Sequence, residues 1–430
     1  MPALPSIDAR CPPCPARRSF LQHGAALAAG LAFAPGTTLA DGAAAAAGDA
    51  WAATWGTAPV GPPTAANALS FSNQTLRLVV RASLGGGRLR VRLSNEFGST
   101  PLQIGAAWIG IASSEGSVVA GSNTQVSFAG RAGAVIAPGA PLLSDPVDLV
   151  LPPQADLAIS LYLPGNVVAT SVHDAAFQRS YASSAGNYAS SNALPIARYL
   201  YSWPFLTEVD VATNGGATCL VALGDSQTDG MLSTGSANRR WTDYLARRLQ
   251  AESQPGYVPV GVVNRGICGN RLLVDADNAP LAGRDCMERF DRDVLATAGA
   301  RYLAVLVGIN DIINVPSQSL STLADDLAAG YVQLISRART RGMLALGATL
   351  LPYEGYVWYS AARDGVRQRV NDWIRNSGAF DAVLDFEAAV RDPDRPTRLL
   401  AAYDGGDHLH PSDAGYEAMA RAVPLALFGY

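Results

Sequence analysis

The hydrophobic period of this chain changes once, near Thr213-Asn214-Gly215-Gly216, and that change constrains the fold more than any other feature. Before it, from Trp51 to about Asn214, apolar residues alternate with period two. Thr75-Leu76-Arg77-Leu78-Val79-Val80-Arg81 and Leu89-Arg90-Val91-Arg92-Leu93 are the clearest runs, separated by Gly85-Gly86-Gly87. Alternation of this kind puts one face of a strand on a core and the other towards solvent. Shorter apolar runs follow at Trp108 to Ile111, Val147 to Leu151 and Leu157 to Leu163, punctuated by Pro, Gly, Ser and Asn. No segment of this half carries a helical stripe. Residues 50–214 are therefore expected to form an all-β sandwich or jelly-roll domain.

From residue 217 to 430 short apolar runs alternate with helical stripes. Strands are expected at Cys219–Leu223, Val260–Val263, Tyr302–Val307, Leu344–Thr349 and Ala382–Leu384. Leu323, Leu327, Tyr331, Leu334 and Ala338 share one helical face, and Val366, Val370, Trp373 and Ile374 share another. Gly378 stands where a helix-ending glycine belongs. Ser412 is a good N-cap for a last helix over about Asp413 to Leu427. Strands alternating with helices predict an α/β domain with a five-stranded parallel sheet covered on both faces.

Composition narrows the chemistry. All 32 basic residues are Arg, so Schiff-base chemistry, a Ser-Lys dyad and a P-loop lysine are excluded. The net charge of −4, with no long run of one sign, gives no support to nucleic-acid or anionic-membrane binding. Histidine is scarce: His23, His173, His408 and His410. His23 falls in an expected leader, residues 1–47. There Arg17-Arg18-Ser19-Phe20-Leu21 precedes a weakly apolar stretch from Gly24 to Ala34, too short for the roughly 20 residues of a membrane span. Small residues then offer cleavage after Ala40 or Ala47. The pattern reads as a twin-arginine export signal and predicts a periplasmic or secreted protein. Cys11 and Cys14 lie in the same leader, leaving Cys219, Cys268 and Cys286.

Four segments beside expected strand ends carry chemistry. Gly224-Asp225-Ser226-Gln227-Thr228-Asp229-Gly230 puts a serine in the turn leaving the first parallel strand, at the sheet edge where open α/β folds place their sites. Asn264-Arg265-Gly266-Ile267-Cys268-Gly269-Asn270 follows the second strand, and its glycines permit close approach of a backbone N–H to a substrate oxygen. Gly308-Ile309-Asn310-Asp311 follows the third strand, with an Asn amide able to donate to a developing oxyanion. Asp407-His408-Leu409-His410-Pro411 lies between the fifth strand and the last helix. Asp and His three apart on a loop can hydrogen-bond, the carboxylate orienting the imidazole. The helix N-terminus after His410 disfavours imidazolium and keeps the base neutral. Asp407, His408 and His410 are also metal-ligand types, but no further ligand cluster accompanies them.

These four segments, in this order at successive strand ends, resemble the blocks of the SGNH/GDSL hydrolases. The segments Asn238-Arg239-Arg240-Trp241-Thr242-Asp243 and Arg289-Phe290-Asp291-Arg292-Asp293 resemble one bacterial branch of that family. So does Trp51-Ala52-Ala53-Thr54-Trp55, which is similar to the start of that branch's N-terminal β domain. The resemblance implies a three-layer, flavodoxin-like hydrolase domain preceded by a β-sandwich, and a serine esterase working through an acyl-enzyme. It implies Ser226 as nucleophile, His410 as base and Asp407 as its orienter. The oxyanion hole would be the N–H groups of Ser226 and Gly269 and the side-chain amide of Asn310. No cofactor, metal, nucleic acid or protein partner is implied; the partner is a small-molecule or polysaccharide ester. Gln227, where an apolar residue is expected, and Cys268, in place of a small residue, depart from the pattern.

The substrate stays open between short O-acyl esters on carbohydrate, which export and the β domain favour, and short-chain or lipid esters. An O-acyltransferase would share the residues, and a non-enzymatic glycan-binding protein would leave them idle. Asp225 and Asp311 read as loop braces, and His173 as a structural residue of the β domain. Tyr353, Tyr356, Trp358 and Tyr359 crowd the loop after the fourth strand, either lining a substrate pocket or packing beneath the loop. A disulfide between Cys268 and Cys286 is expected to hold the Gly269 loop, with two free thiols as the alternative.

Overall fold

The computed structural model describes residues 50–213, 216–276 and 279–430. The expected leader, with Arg17, Arg18, Cys11 and Cys14, lies outside them.

The alternating runs of the N-terminal half become two antiparallel sheets. In the larger, Ser70–Arg81 pairs with Asp156–Val168 so that Leu76 faces Leu161, Leu78 faces Ile159 and Val80 faces Leu157. In the smaller, Gly86–Ser94 pairs with Leu206–Thr213, which pairs in turn with Ala50–Gly56. Leu89, Val91, Val209 and Val211 of the smaller sheet and the six apolar residues above form one core. The apolar face of each run lies in that core, but the other face is covered too: Thr75, Arg77 and Val79 are buried between the core-facing residues of Ser70–Arg81. Among the described residues, helix begins only at Ser226.

In the C-terminal half all five expected strands are present, as Thr218–Gly224, Val260–Gly266, Ala300–Leu306, Leu344–Ala348 and Ala382–Leu384. They form a parallel sheet with the second strand outside the first, giving the order 2-1-3-4-5. That order reverses at the first strand, and a crevice opens beyond the carboxyl ends at such a reversal. Leu320–Arg339 buries the expected Leu323, Leu327, Tyr331, Leu334 and Ala338. Ala361–Asn376 buries Val366, Val370 and Ile374, and Gly378 just beyond it adopts φ +67°. Trp373 is only half-buried. The last helix is shorter than expected. Ser412 does cap it, accepting from the Gly415 N–H, but it ends at Arg421. Pro424 has no N–H to continue the ladder and disfavours helical geometry in the residue before it.

The two halves pack together as one compact unit over residues 49–430. The second parallel strand is an edge strand, and the β half covers it. Ser83 Oγ accepts the Val262 N–H at 2.9 Å. At Gly261 a Cβ would come within 2.4 Å of the Ala53 carbonyl, so only glycine fits there. Arg265, fully buried on that strand, reaches into the β half to pair with Glu208 and to donate to the Thr207 carbonyl at 3.0 Å.

Beneath the carboxyl ends of the first two strands lies a second buried ion cluster. Asp293 accepts from Arg289 at 2.9 Å and from Arg292 at 2.7 Å. Burial opposes its charge, but Arg292 and then Arg289 and Arg265 outweigh that and hold its carboxyl at about 2. A depressed carboxyl contributes stability that is complete above its unfolded value near ~4 and is lost as pH falls towards the folded value. Asp293→Asn is therefore expected to lower stability by about 3–5 kcal/mol at neutral pH, since it leaves buried guanidinium charge uncompensated. The gap in Tm from the parent should close as pH falls from 5 towards 2 in a thermal-melt series. A gap that stays constant over that range would show that Asp293 acts by shape alone.

Candidate active site

The first parallel strand ends at Gly224, where a Cβ would lie 2.3 Å from Thr228 Oγ1 and 2.6 Å from the Leu306 carbonyl. Glycine lets the chain fold back tightly on its own strand. Asp225 is extended and caps the short helix Ser226–Asp229, its carboxylate accepting from the Gln227 N–H. Ser226 thus sits at the first helical position. Its N–H has no acceptor among the described residues, as expected of a first-turn amide. Burial pushes the Asp225 carboxyl up to about 7, the Gln227 N–H opposing.

His410 reaches Ser226 from the loop before the last helix. Its Nε2 lies 2.8 Å from Ser226 Oγ, and its Nδ1 lies 2.6 Å from Asp407 Oδ2. Asp407 Oδ1 accepts the N–H groups of Leu409 and His410 at 3.0 and 2.8 Å. Burial works against ionisation of Asp407, but the His410 side chain and the two backbone donors hold its carboxyl at about 2. His408, at φ +65°, turns away and pairs with Asp404 at 2.5 Å. Asp407, His408 and His410 therefore do not converge on one point. Asp275, Asp285 and Glu288 do come together, but Arg284 already pairs with Asp275 and Asp285 caps its own helix.

The segment after the second strand makes a turn closed by the Asn270 N–H on the Ile267 carbonyl at 3.1 Å. Gly269 occupies its third position at φ +78°, which glycine alone adopts without strain. The Gly269 N–H, like that of Ser226, has no acceptor among the described residues. Asn310 donates one amide proton to the Asn270 carbonyl at 3.0 Å, leaving its second proton free of that bond. Asp311 accepts from the N–H groups of Leu272 and Leu273 at 2.9 and 3.0 Å, and burial pushes its carboxyl up to about 6 against them. The two carboxylates expected to brace loops do so.

Ser226, Gly269, Asn310 and His410 line one cleft of about 370 Å³. The aromatic residues after the fourth strand divide. Tyr356 and Trp358 line the cleft, Trp358 with 54% of its surface exposed. Tyr353 is buried against Ile309, Ile313 and Leu409, with Tyr359 packed on it at 5.3 Å. Gln227 is buried and donates to the Leu409 carbonyl at 3.0 Å, tying the serine turn to the histidine loop. Its polarity, unexpected from the sequence, is explained by that bond.

Two other residues reach this site from outside the four segments. Arg289 donates to the carbonyls of Gly224 and Arg265 at 3.0 and 2.8 Å, spanning the two loops. His173, read as a β-domain residue, lies 3.0 Å from Asp229 beside the serine. An unpaired histidine next to a period-two run offered no hint of a partner 56 residues away.

The expected disulfide is absent: Cys219, Cys268 and Cys286 are free thiols. Cys286 opens a helix capped by Asp285 and turns its sulfur to Asn270 Oδ1 at 3.1 Å. Cys268 lines the cleft, with its backbone N–H on Asp229. The two sulfurs serve different sides of the Gly269 turn. Burial raises both thiols, Cys286 to about 12, so neither is a ready nucleophile.

Residues 222–418 match the model of the GDSL-like Lipase/Acylhydrolase family. That segment belongs to the family, and the protein is a serine hydrolase of ester bonds. No protein of curated function matches the chain. Among solved structures, a protein described as a lipolytic member of the G-D-S-L family from Desulfitobacterium hafniense DCB-2 is similar at 25% identity. The match covers 48% of this chain and 99% of that one, with a TM-score of 0.35. A variant of the acetyl xylan esterase Axe2 from Geobacillus stearothermophilus is also similar at 25% identity. Coverage there is 50% and 96%, with a TM-score of 0.38.

Free thiols make a direct prediction. Alkylation in denaturant without reductant, read by peptide mass spectrometry, should label both Cys268 and Cys286 completely. A linked, unlabelled peptide pair would restore the disulfide.

Proposed function

We propose that this protein is an exported esterase that removes short acyl groups, acetyl foremost, from carbohydrate through Ser226, His410 and Asp407. The unbroken hydrogen-bond chain from Asp407 through His410 to Ser226, beside unpaired donors in one cleft, carries this reading. His410 Nε2 takes the proton of Ser226 Oγ as the hydroxyl attacks the ester carbonyl. The oxyanion accepts from the N–H groups of Ser226 and Gly269 and from the Asn310 amide. His410 then protonates the departing alcohol. Water attacks the acyl-enzyme with His410 again as base, releasing the acid and restoring Ser226. Asp407, ionised far below neutrality, holds the ring orientation and offsets the imidazolium charge.

The substrate reading draws on the cleft. Its wall sets polar Arg271, Asn310 and Asn314 beside Met231 and Leu409. Such a wall suits a small acyl group and a hydroxylated alcohol better than a long lipid chain. Trp358 at the rim offers an exposed aromatic face on which a sugar ring can stack. Export through the twin-arginine leader would deliver the enzyme to extracytoplasmic polysaccharide.

Ser226→Ala and His410→Ala should each abolish turnover of acetylated xylan and of p-nitrophenyl acetate while the circular dichroism spectrum is kept. Near-normal activity of purified Ser226→Ala would sink the mechanism. Asp407→Asn should cost less than either. Asn310→Ala should lower kcat by roughly 10²–10³ with a smaller change in KM, because the donor acts in the transition state. On p-nitrophenyl esters, kcat/KM should fall as the acyl chain lengthens. A rise with length would replace the short-acyl reading with a lipase and leave the triad standing. Replacing Arg17 and Arg18 together by Lys should keep the protein in the cytoplasmic fraction; unchanged export would remove the leader assignment.

A further inference from the structure

His173 carries the β half to the catalytic loops. It lies in a two-residue strand, Val172–His173, paired with Trp203–Pro204, and its ring stacks on Trp203 at 5.5 Å. The ring is 2% exposed, yet both nitrogens have partners. Nδ1 lies 2.9 Å from the Ala58 carbonyl and Nε2 lies 3.0 Å from Asp229 Oδ1. A carbonyl oxygen only accepts, so Nδ1 carries a proton and donates. Nε2 faces the Asp229 carboxylate; burial opposes a charge on the ring, and Asp229 with the two hydrogen bonds outweighs it and raises the imidazole above its usual range.

Asp229 closes the short helix that Ser226 opens, and it has no part in the triad. Its second oxygen, Oδ2, accepts the Cys268 N–H at 3.1 Å. Cys268 is the residue before Gly269. One residue further back, Ile267 is buried in a small apolar cluster with Ala58, Val60 and Val172, all from the β half. The turn that presents the Gly269 N–H is thus held on its outer side by residues from before the change of period.

We propose that His173 is a positioning residue for the oxyanion hole: through Asp229 it fixes the Cys268 N–H, and with it the orientation of Gly269. The β half is then part of the catalytic apparatus as well as a neighbour of it. Without the ring, Asp229 is a buried carboxylate left with the N–H and the weakly donating thiol of Cys268. It gains by protonating or turning towards solvent, and either releases the Cys268 N–H. The inference rests on the reading of Gly269 as an oxyanion donor.

The test measures kcat per active site, with sites counted by exhaustive titration with a serine-directed phosphonate. Counting sites separates slow catalysis from loss of folded protein, because unfolded chains are not titrated. His173→Ala should lower kcat per site by roughly tenfold or more, with KM within about twofold, since a displaced donor is missed in the transition state. His173→Gln, whose amide can still donate to Asp229, should recover most of the loss. Wild-type kcat per site in His173→Ala overturns the proposal, whatever fraction of the protein stays folded. So does a loss confined to KM, or an equal loss in both variants, which would assign the ring to packing. Asn310→Ala in the same assay separates the two layers. If it slows kcat while His173→Ala does not, the oxyanion hole stands and the positioning role falls. If neither slows kcat, the oxyanion reading falls and takes the proposal with it.

Discussion

Arg289 is the interaction on which the site depends. Its guanidinium is buried at the carboxyl ends of the first two parallel strands. It donates to the Gly224 carbonyl at 3.0 Å, to the Arg265 carbonyl at 2.8 Å and to Asn270 Oδ1 at 3.1 Å. Gly224 leads into the serine turn, and Asn270 closes the Gly269 turn. One rigid, planar fork therefore sets the distance between the Ser226 turn and the Gly269 turn, which a lysine's single ammonium point could not do. A charge so deep is tolerable because Asp293 meets it, a carboxylate that Arg292 shares from the other side.

Around that hub the loops brace one another by side chain to backbone bonds. Asp225 caps the serine helix, Asp311 gathers the N–H groups of Leu272 and Leu273, and Gln227 holds the Leu409 carbonyl. The contrast among the carboxylates follows from their partners. Asp225 and Asp311 face only backbone donors, so burial dominates and raises both. Asp407, nearer solvent and facing His410 as well as two N–H groups, is lowered instead. The carboxylate that pairs with His410 sits where charge is favoured. Residues that only brace sit where it is not.

The β half supplies what a parallel sheet with an exposed edge lacks. The second strand would otherwise present unpaired backbone groups to solvent. Ser83 satisfies the Val262 N–H, the Ala53 backbone packs against Gly261, and Glu208 meets Arg265. The same covering layer carries Ala58, Val60 and Val172 to Ile267. Packing that protects an edge thus also grips the segment that leads into the Gly269 turn.

Much of this was legible in the chain. The switch from period two to alternating apolar runs and helical stripes located every parallel strand, because burial on one face or two leaves a local record in composition. Glycines at 224, 269 and 378 marked turns for the same reason: the backbone geometry they permit is decided within a few residues. The order of Ser226, Gly269, Asn310 and His410 at strand ends was legible too, since strand ends follow from the strands. The tertiary structure alone decided what lay across the fold. The last helix stops short because Pro424 outweighs the apolar spacing beyond it. Cys268 and Cys286 stay apart because their side chains take different partners, Asn270 for one and the cleft for the other, and sequence spacing carries no direction. Arg289, Gln227 and His173 stood out in the sequence only as part of a resembling segment, a departure from the pattern and a structural histidine, with no partner indicated. Each acquired its role only when a distant carbonyl or carboxylate was brought within 3.0 Å of it. A hydrogen bond of that kind is short-ranged in space and unconstrained in sequence, so only the folded chain reveals it.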